Sequence, residues 1–127
     1  MKTKRKGTAM SVESATEKDL EQLRKSTKET YELLHNVDEN DFPPELRQEY
    51  WRNRHFARTS WEVAENAVFA DLVEEQKRRL PAVAASNAKL ARDVQATADA
   101  LAMLNLVSTS LSVLAEVITL LSRVVPK

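Results

Sequence analysis

The longest apolar stretch of this chain, Val94 to Val125, restricts the folds available to it more than any other feature. Its only charged side chains are Asp99, Glu116 and Arg123. Leucine, isoleucine and valine recur in it at alternating steps of three and four residues, the spacing of a left-handed coiled-coil seam. The members of this seam are Leu104, Val107, Leu111, Leu114, Ile118, Leu121 and Val125. A helix with so much apolar surface must be covered by other helices on most of its circumference.

The composition favours a single small domain made of a few long helices. The chain has 127 residues and one glycine, so tight hairpins and β-turns lack their usual residues. Its 19 basic and 19 acidic side chains cancel, and the bulk charge therefore indicates neither a nucleic-acid nor a membrane partner. The absence of cysteine excludes disulfides and thiolate metal sites. We expect a cytoplasmic protein.

Three helices are predicted from capping and breaking signals. The first covers about 14–35, and Ser14 with Glu17 fits a capping box at its start. A linker rich in Asn, Asp and Pro follows, and the second helix covers about 44–79. Pro81 then interrupts the pattern as a turn or a kink, and the third helix covers about 82–125.

These helices predict an all-α fold, a three-helix up-down-up bundle in which the second and third helices form a long hairpin. The third helix has more apolar surface than two neighbours can cover, so we expect oligomerisation to complete the bundle. Residues 1–12 carry four basic side chains and are predicted to form a flexible basic tail. Residues 13–127 are predicted to form the single helical domain.

Catalytic and metal-binding patterns are weak. Glu32 and His35 have the i, i+3 spacing of a metal-binding pair, but ferritin-like sites need a second such pair and two further glutamates. The sequence contains no glycine-rich phosphate loop and no recognisable pairing of a nucleophile with a base. We therefore expect no enzyme activity, no cofactor and no metal.

Basic and aromatic side chains are concentrated near the start of the second helix. Arg47, Arg54, His55 and Arg58 share one broad sector of that helix, and guanidinium groups suit phosphates and carboxylates. Together with the basic tail they form a candidate anion- or nucleic-acid-binding site. Glutamates interleaved with the arginines, such as Glu62 four residues after Arg58, favour a salt-bridged face or a protein interface instead.

Three further apolar side chains, Trp51, Phe69 and Val73, lie on the charged side of the second helix, and Trp51 and Phe69 with Arg58 form a candidate second partner-binding patch. The uncharged run from Ala100 to Ala115 is shorter than a membrane span requires and contains several polar residues. We therefore expect no constitutive span. A helical protein that acts at membranes or other apolar surfaces is one alternative function.

The leading hypothesis is a non-enzymatic helical protein-protein interaction or assembly module. In this hypothesis the coiled-coil-like seam is buried against a second copy, with a dimer favoured, or against another helical protein. An anion- or nucleic-acid-binding module is the other alternative.

Overall fold

The computed structural model describes residues 15–122, and all regular structure in this range is helical. The helices are α1 (Glu17–His35), α2 (Pro44–Asn66), α3 (Glu74–Gln95), α4 (Ala100–Thr109) and α5 (Leu111–Leu121), with 3₁₀ helices at Glu39–Asp41 and Phe69–Asp71. The predicted all-α class is confirmed, but five α-helices are found in this range rather than three. The basic tail predicted over residues 1–12 lies outside the described residues.

The start of α1 shows the capping box two residues later than predicted. The N-cap is Thr16 rather than Ser14, and its partner is Asp19 rather than Glu17. The backbone N–H of Thr16 donates to the Asp19 carboxylate at 2.8 Å. Both pairs have a hydroxyl followed three residues later by a carboxylate, so local spacing could not choose between them.

The second helix ends at Asn66, well before the predicted end near residue 79. Arg24 of α1 donates to the backbone oxygens of Ala64 at 3.0 Å and of Ala67 at 2.6 Å, and so satisfies carbonyls that the helix end leaves free. Leu72, just after the second 3₁₀ helix, is buried in the core. The break is thus stabilised by groups distant in sequence.

The break predicted at Pro81 is wrong, because Pro81 lies inside α3. A proline in a helix interior removes one backbone hydrogen bond and is usually unfavourable. Leu80, Val83 and Ala84 on either side of it are buried in the core, and this packing holds the helix together across the proline.

The predicted third helix is also interrupted, first at residues 96–99 and again at Ser110. Asp99 begins α4 as its N-cap, and its carboxylate accepts the backbone N–H of Ala102 at 3.0 Å. The axes of α4 and α5 differ by 50° across Ser110. Helices α4 and α5, which together form one apolar segment, both pack against α2 and α3 on either side of this bend.

The helices form a ring of four members, which are α1, α2, α3 and the α4–α5 segment. Helix α1 packs against α2 and α3, and α5 packs against the same two helices, so α2 and α3 lie diagonally opposite. The Tyr50 hydroxyl near the start of α2 donates to the Leu34 carbonyl near the end of α1 at 2.6 Å, so these helices are antiparallel. Within residues 15–122, the long hairpin predicted between the second and third helices is not found. The antiparallel neighbours that follow one another in sequence are α1 with α2, and α3 with the α4–α5 segment.

A weak thirty-residue repeat underlies this arrangement. The two 3₁₀ helices lie thirty residues apart, and the intervals Asn36 to Asn66 and Asp41 to Asp71 have the same length. Core positions repeat with the same spacing, as the buried sets Leu20, Tyr50 and Leu80, and Thr27, Ala57, Asn87 and Val117 show. Each unit is one helix with its following turn, which cannot bury its apolar face alone.

Candidate interaction surfaces

The predicted coiled-coil seam is mainly an internal feature of one chain. Leu104, Val107 and Leu114 are buried by the chain's own helices, at 3%, 0% and 0% exposure. The other described members of the seam, Leu111, Ile118 and Leu121, are half-buried, and Val125 lies outside the described residues. A second copy is therefore not needed to cover the first three residues, whereas the other three keep exposed edges.

Buried side-chain amides of α2 and α3 hold the α4–α5 segment in place. Asn53 donates to the Leu104 carbonyl at 3.3 Å, and Gln76 donates to the Leu120 carbonyl at 2.8 Å. Asn87 approaches the Val113 carbonyl at 3.4 Å. All three amide side chains are almost fully buried, at 0–2% exposure, so these bonds form away from competing water. The polar contacts select one rotation of an otherwise apolar segment.

A cleft of about 360 Å³ opens between the starts of α2 and α4, and we call it the α2/α4 cleft. Its lining combines four aliphatic side chains with two carboxylates and one amide: Leu46, Leu101, Ala102, Leu104, Glu49, Asp99 and Asn105. Leu101 is 46% exposed, an unusual degree for a large aliphatic side chain. The lining contains two carboxylates and no basic side chain, so the cleft favours an apolar group with a cation beside it.

A second cleft, the α2/α5 cleft, lies at the other end of the same helix boundary. Its lining includes Val63, Ala67 and Leu121, together with Glu62, Asn66 and Ser122. The side of the bundle formed by α2 and the α4–α5 segment therefore exposes aliphatic groups at both ends. We call it the apolar side.

The cleft between α1 and α3, the α1/α3 cleft, has a different lining. Of its seven residues only Ala88 is apolar, and the others are Gln22, Lys25, Ser26, Glu29, Arg92 and Gln95. Side chains of this kind remain well hydrated, so this side of the bundle gains little by excluding water.

The candidate second patch is not assembled. Trp51 is 48% exposed, and its indole N–H donates to Glu39 at 3.0 Å. Phe69 follows the far end of α2, packs against the core and carries the Lys77 ammonium 5.0 Å from its ring centroid. The part of α2 between Trp51 and Asn66 is about 22 Å long at 1.5 Å per residue, which separates the two aromatic residues widely.

The candidate anion-binding residues mostly have partners already. Arg47 donates to the backbone oxygens of Glu39 and Phe42, both at 3.2 Å. Arg58 pairs with Glu62 at 3.1 Å. In addition, Arg54 lies 5.6 Å from the Tyr50 ring centroid, and His55 is exposed. These four residues therefore do not form one free cluster of cations.

The Glu32 and His35 pair does not extend to a larger cluster of ligands. The His35 ring lies beside Tyr31, with Nδ1 3.4 Å from the Tyr31 hydroxyl, and Glu32 is exposed. Over residues 15–122, no three His, Asp or Glu side chains lie close enough together to hold a metal ion.

Of the residues that line the α2/α4 cleft, sequence reasoning singled out Leu104 as part of the seam and missed Leu101. Leu101 lay in the middle of a predicted long helix and had no reason to be exposed, whereas in the structure α4 begins at Ala100. Asp99 was a signal for this start, because an aspartate before an apolar run is a common N-cap. A single helix over about 82–125 does not include this start at Asp99.

A helix that crosses a bilayer must be both long enough and apolar enough to span it. In the described part of the chain, no single helix is both long and apolar enough to cross a bilayer. Helices α4 and α5 reach the required length and composition only when taken together across their 50° bend.

Comparison with known proteins adds no relative to this description. No protein-family model, curated protein sequence or solved structure matches the chain.

Proposed function

We propose that this protein is a non-enzymatic helical assembly module that self-associates through its apolar side. The observation that carries the proposal is the α2/α4 cleft with its exposed Leu101. The α2/α5 cleft, whose lining is half apolar and half polar, continues the boundary of α2 with the α4–α5 segment. The α1/α3 cleft of the same chain has a polar lining and provides the comparison surface.

The driving force is the removal of aliphatic surface from water. Leu101 and the half-exposed edges of Leu111, Ile118 and Leu121 are aliphatic groups whose burial contributes about 25 cal/mol per Å². Because Leu104, Val107 and Leu114 are already covered, the interface uses the outer edge of the predicted seam rather than its buried part. In this proposal a second copy completes the bundle from outside.

A second copy is the proposed partner because a two-fold interface uses the same surface on both chains. The exposed Leu101 of one copy is an aliphatic group of the kind that the α2/α4 cleft of the other copy would accept. A closed two-fold contact also limits the assembly to two copies, whereas an open head-to-tail contact would leave the same surface exposed at the ends of a filament.

The test is sedimentation velocity over micromolar to millimolar protein concentrations. We expect a reversible dimer whose population rises with concentration. Leu101→Asp removes the aliphatic group and places a carboxylate near Glu49 and Asp99 of the cleft, so it should raise the dimer Kd by at least about tenfold. The matched control is Gln22→Asp, which puts the same charge into the polar α1/α3 cleft and should leave the Kd unchanged. A wild-type chain that stays monomeric throughout would overturn the proposal.

A further inference from the structure

The outer face of α2 next to the α2/α4 cleft carries one acid and one base that are complementary to a copy of themselves. Glu49 lines the cleft, and Arg52 lies three residues further along the same helix. Residues three apart are neighbours on a helix surface. Arg52 is exposed and takes part in no ion pair within residues 15–122.

Arg52 differs in this respect from the other arginines of α2. Arg47 donates to two backbone oxygens, Arg54 lies over the Tyr50 ring, and Arg58 pairs with Glu62. Each of these guanidinium groups has a role within its own chain. Arg52 has an acidic neighbour at the i−3 position but forms no ion pair with it, so its charge remains available to another molecule.

Glu49 is held in position from inside the bundle. The Ser108 hydroxyl of α4 donates to its Oε2, and Asn53 donates to Ser108 Oγ at 2.8 Å. Asn53 is fully buried, so this short chain of hydrogen bonds starts from a fixed point in the core. The other carboxylate oxygen, Oε1, has no hydrogen bond within the described residues. A carboxylate positioned in this way loses little conformational freedom when it pairs.

We propose that two copies dock with their α2 helices antiparallel across a two-fold axis, so that Arg52 of each copy pairs with Glu49 of the other. This inference rests on the proposed self-association and specifies its register. The symmetry produces two identical ion pairs around the axis, flanked by Leu101 and Leu46 of both copies. The aliphatic groups supply most of the affinity, and the charges select this register over others.

A charge-swap experiment tests the register. Glu49→Arg and Arg52→Glu each place like charges opposite one another in the homodimer, and each should raise the dimer Kd by at least about tenfold, because like-charge contacts across an interface cost several kcal/mol. An equimolar mixture of the two variants restores both pairs and should form a heterodimer with a Kd close to that of the wild type. Sedimentation velocity with one variant carrying a fluorescent label distinguishes the heterodimer from either homodimer.

Folding controls keep the result interpretable. Arg52 is exposed, so Arg52→Glu should retain the wild-type circular dichroism spectrum and melting temperature within a few degrees. If Glu49→Arg disturbs the bond with Ser108 and unfolds the chain, Glu49→Gln replaces it as second variant. Combined with Arg52→Glu in one chain, it removes the carboxylate that the new acid would oppose and should recover part of the lost affinity.

Two negative results have different meanings. If the wild type dimerises and Leu101→Asp weakens the dimer, but the charge swaps have no effect or the mixture stays monomeric, the register is wrong and self-association stands. If the wild type is monomeric at every concentration, both the register and the proposed function fail.

Discussion

The two sides of this bundle are each formed by neighbouring helices but differ in chemistry. Helices α1 and α3 lie side by side, as do α2 and the α4–α5 segment, and each pair has an open cleft along its boundary. The α1/α3 cleft is lined almost entirely by amides, a hydroxyl and charges, whereas about half of the residues lining the two clefts of the apolar side are leucine, valine and alanine. The comparison teaches that two boundaries of one bundle can differ in how much apolar surface they leave in water.

The largest difference in the free energy of unfolding is expected between aspartate at a buried position of α5 and aspartate at an exposed position of the same helix. Leu114 is 0% exposed, so Leu114→Asp buries an unpaired carboxylate and should lower the free energy of unfolding by at least about 4 kcal/mol. Ser112 is exposed on the same helix, and Ser112→Asp should change the free energy by no more than about 0.5 kcal/mol. Urea denaturation followed by circular dichroism measures both. Equal losses would show that the assigned faces of α5 are wrong.

A smaller difference is expected between a glutamine in the core and a glutamine in the α1/α3 cleft. Gln76 donates to the Leu120 carbonyl and accepts the backbone N–H of Val73, both at 2.8 Å. Gln76→Ala removes both bonds at a buried site and should cost about 2 kcal/mol of unfolding free energy. Gln22 lies in the open α1/α3 cleft, and Gln22→Ala should stay within about 0.5 kcal/mol of the wild type in the same urea titration. A cost at Gln22 as large as that at Gln76 would contradict the view of that cleft as a hydrated surface.

The smallest effect concerns the ion pair between α3 and α5. Arg79 and Glu116 meet at 3.0 Å, but their side chains are 38% and 48% exposed. Arg79→Ala should therefore cost only about 0.5 kcal/mol, and the difference from the wild type should shrink in 1 M salt because exposed charges are screened. Melting curves at low and high salt provide the measurement. A loss of several kcal/mol, or one independent of salt, would mean that this edge is more buried than its exposure indicates.

Local signals predicted a good part of the fold. The all-helical class, the stripe of Leu20, Leu23 and Leu34 on α1, and the start of α2 at Pro44 follow from periodicity and from a double proline, which act within a few residues. The end of α2 could not be found in this way, because Arg24 reaches it from forty residues earlier in the chain. Pro81 misled for the complementary reason, since burial of its neighbours outweighs a local breaking signal.

The sequence predicted the apolar face of the C-terminal segment, but it did not predict which part of the molecule covers that face. The heptad spacing correctly marked Leu104, Val107 and Leu114 as residues that need covering. Periodicity does not state which molecule provides the cover, and here the chain provides it for these three. The thirty-residue repeat was a usable signal for the turn at residues 67–73, because Asn66 and Asp71 echo Asn36 and Asp41 around an obvious linker.

The hydrogen bonds from buried side-chain amides to α4 and α5 also bear on the order in which the chain folds during synthesis. Asn53, Gln76 and Asn87 leave the ribosome before the carbonyls that they bond, since those acceptors belong to Leu104, Leu120 and Val113. Until α5 has emerged, the groove between α2 and α3 contains three amide side chains without these acceptors, and its leucines face water. The nascent chain therefore reaches its stable packing in a late step, when the last helix of the described region docks.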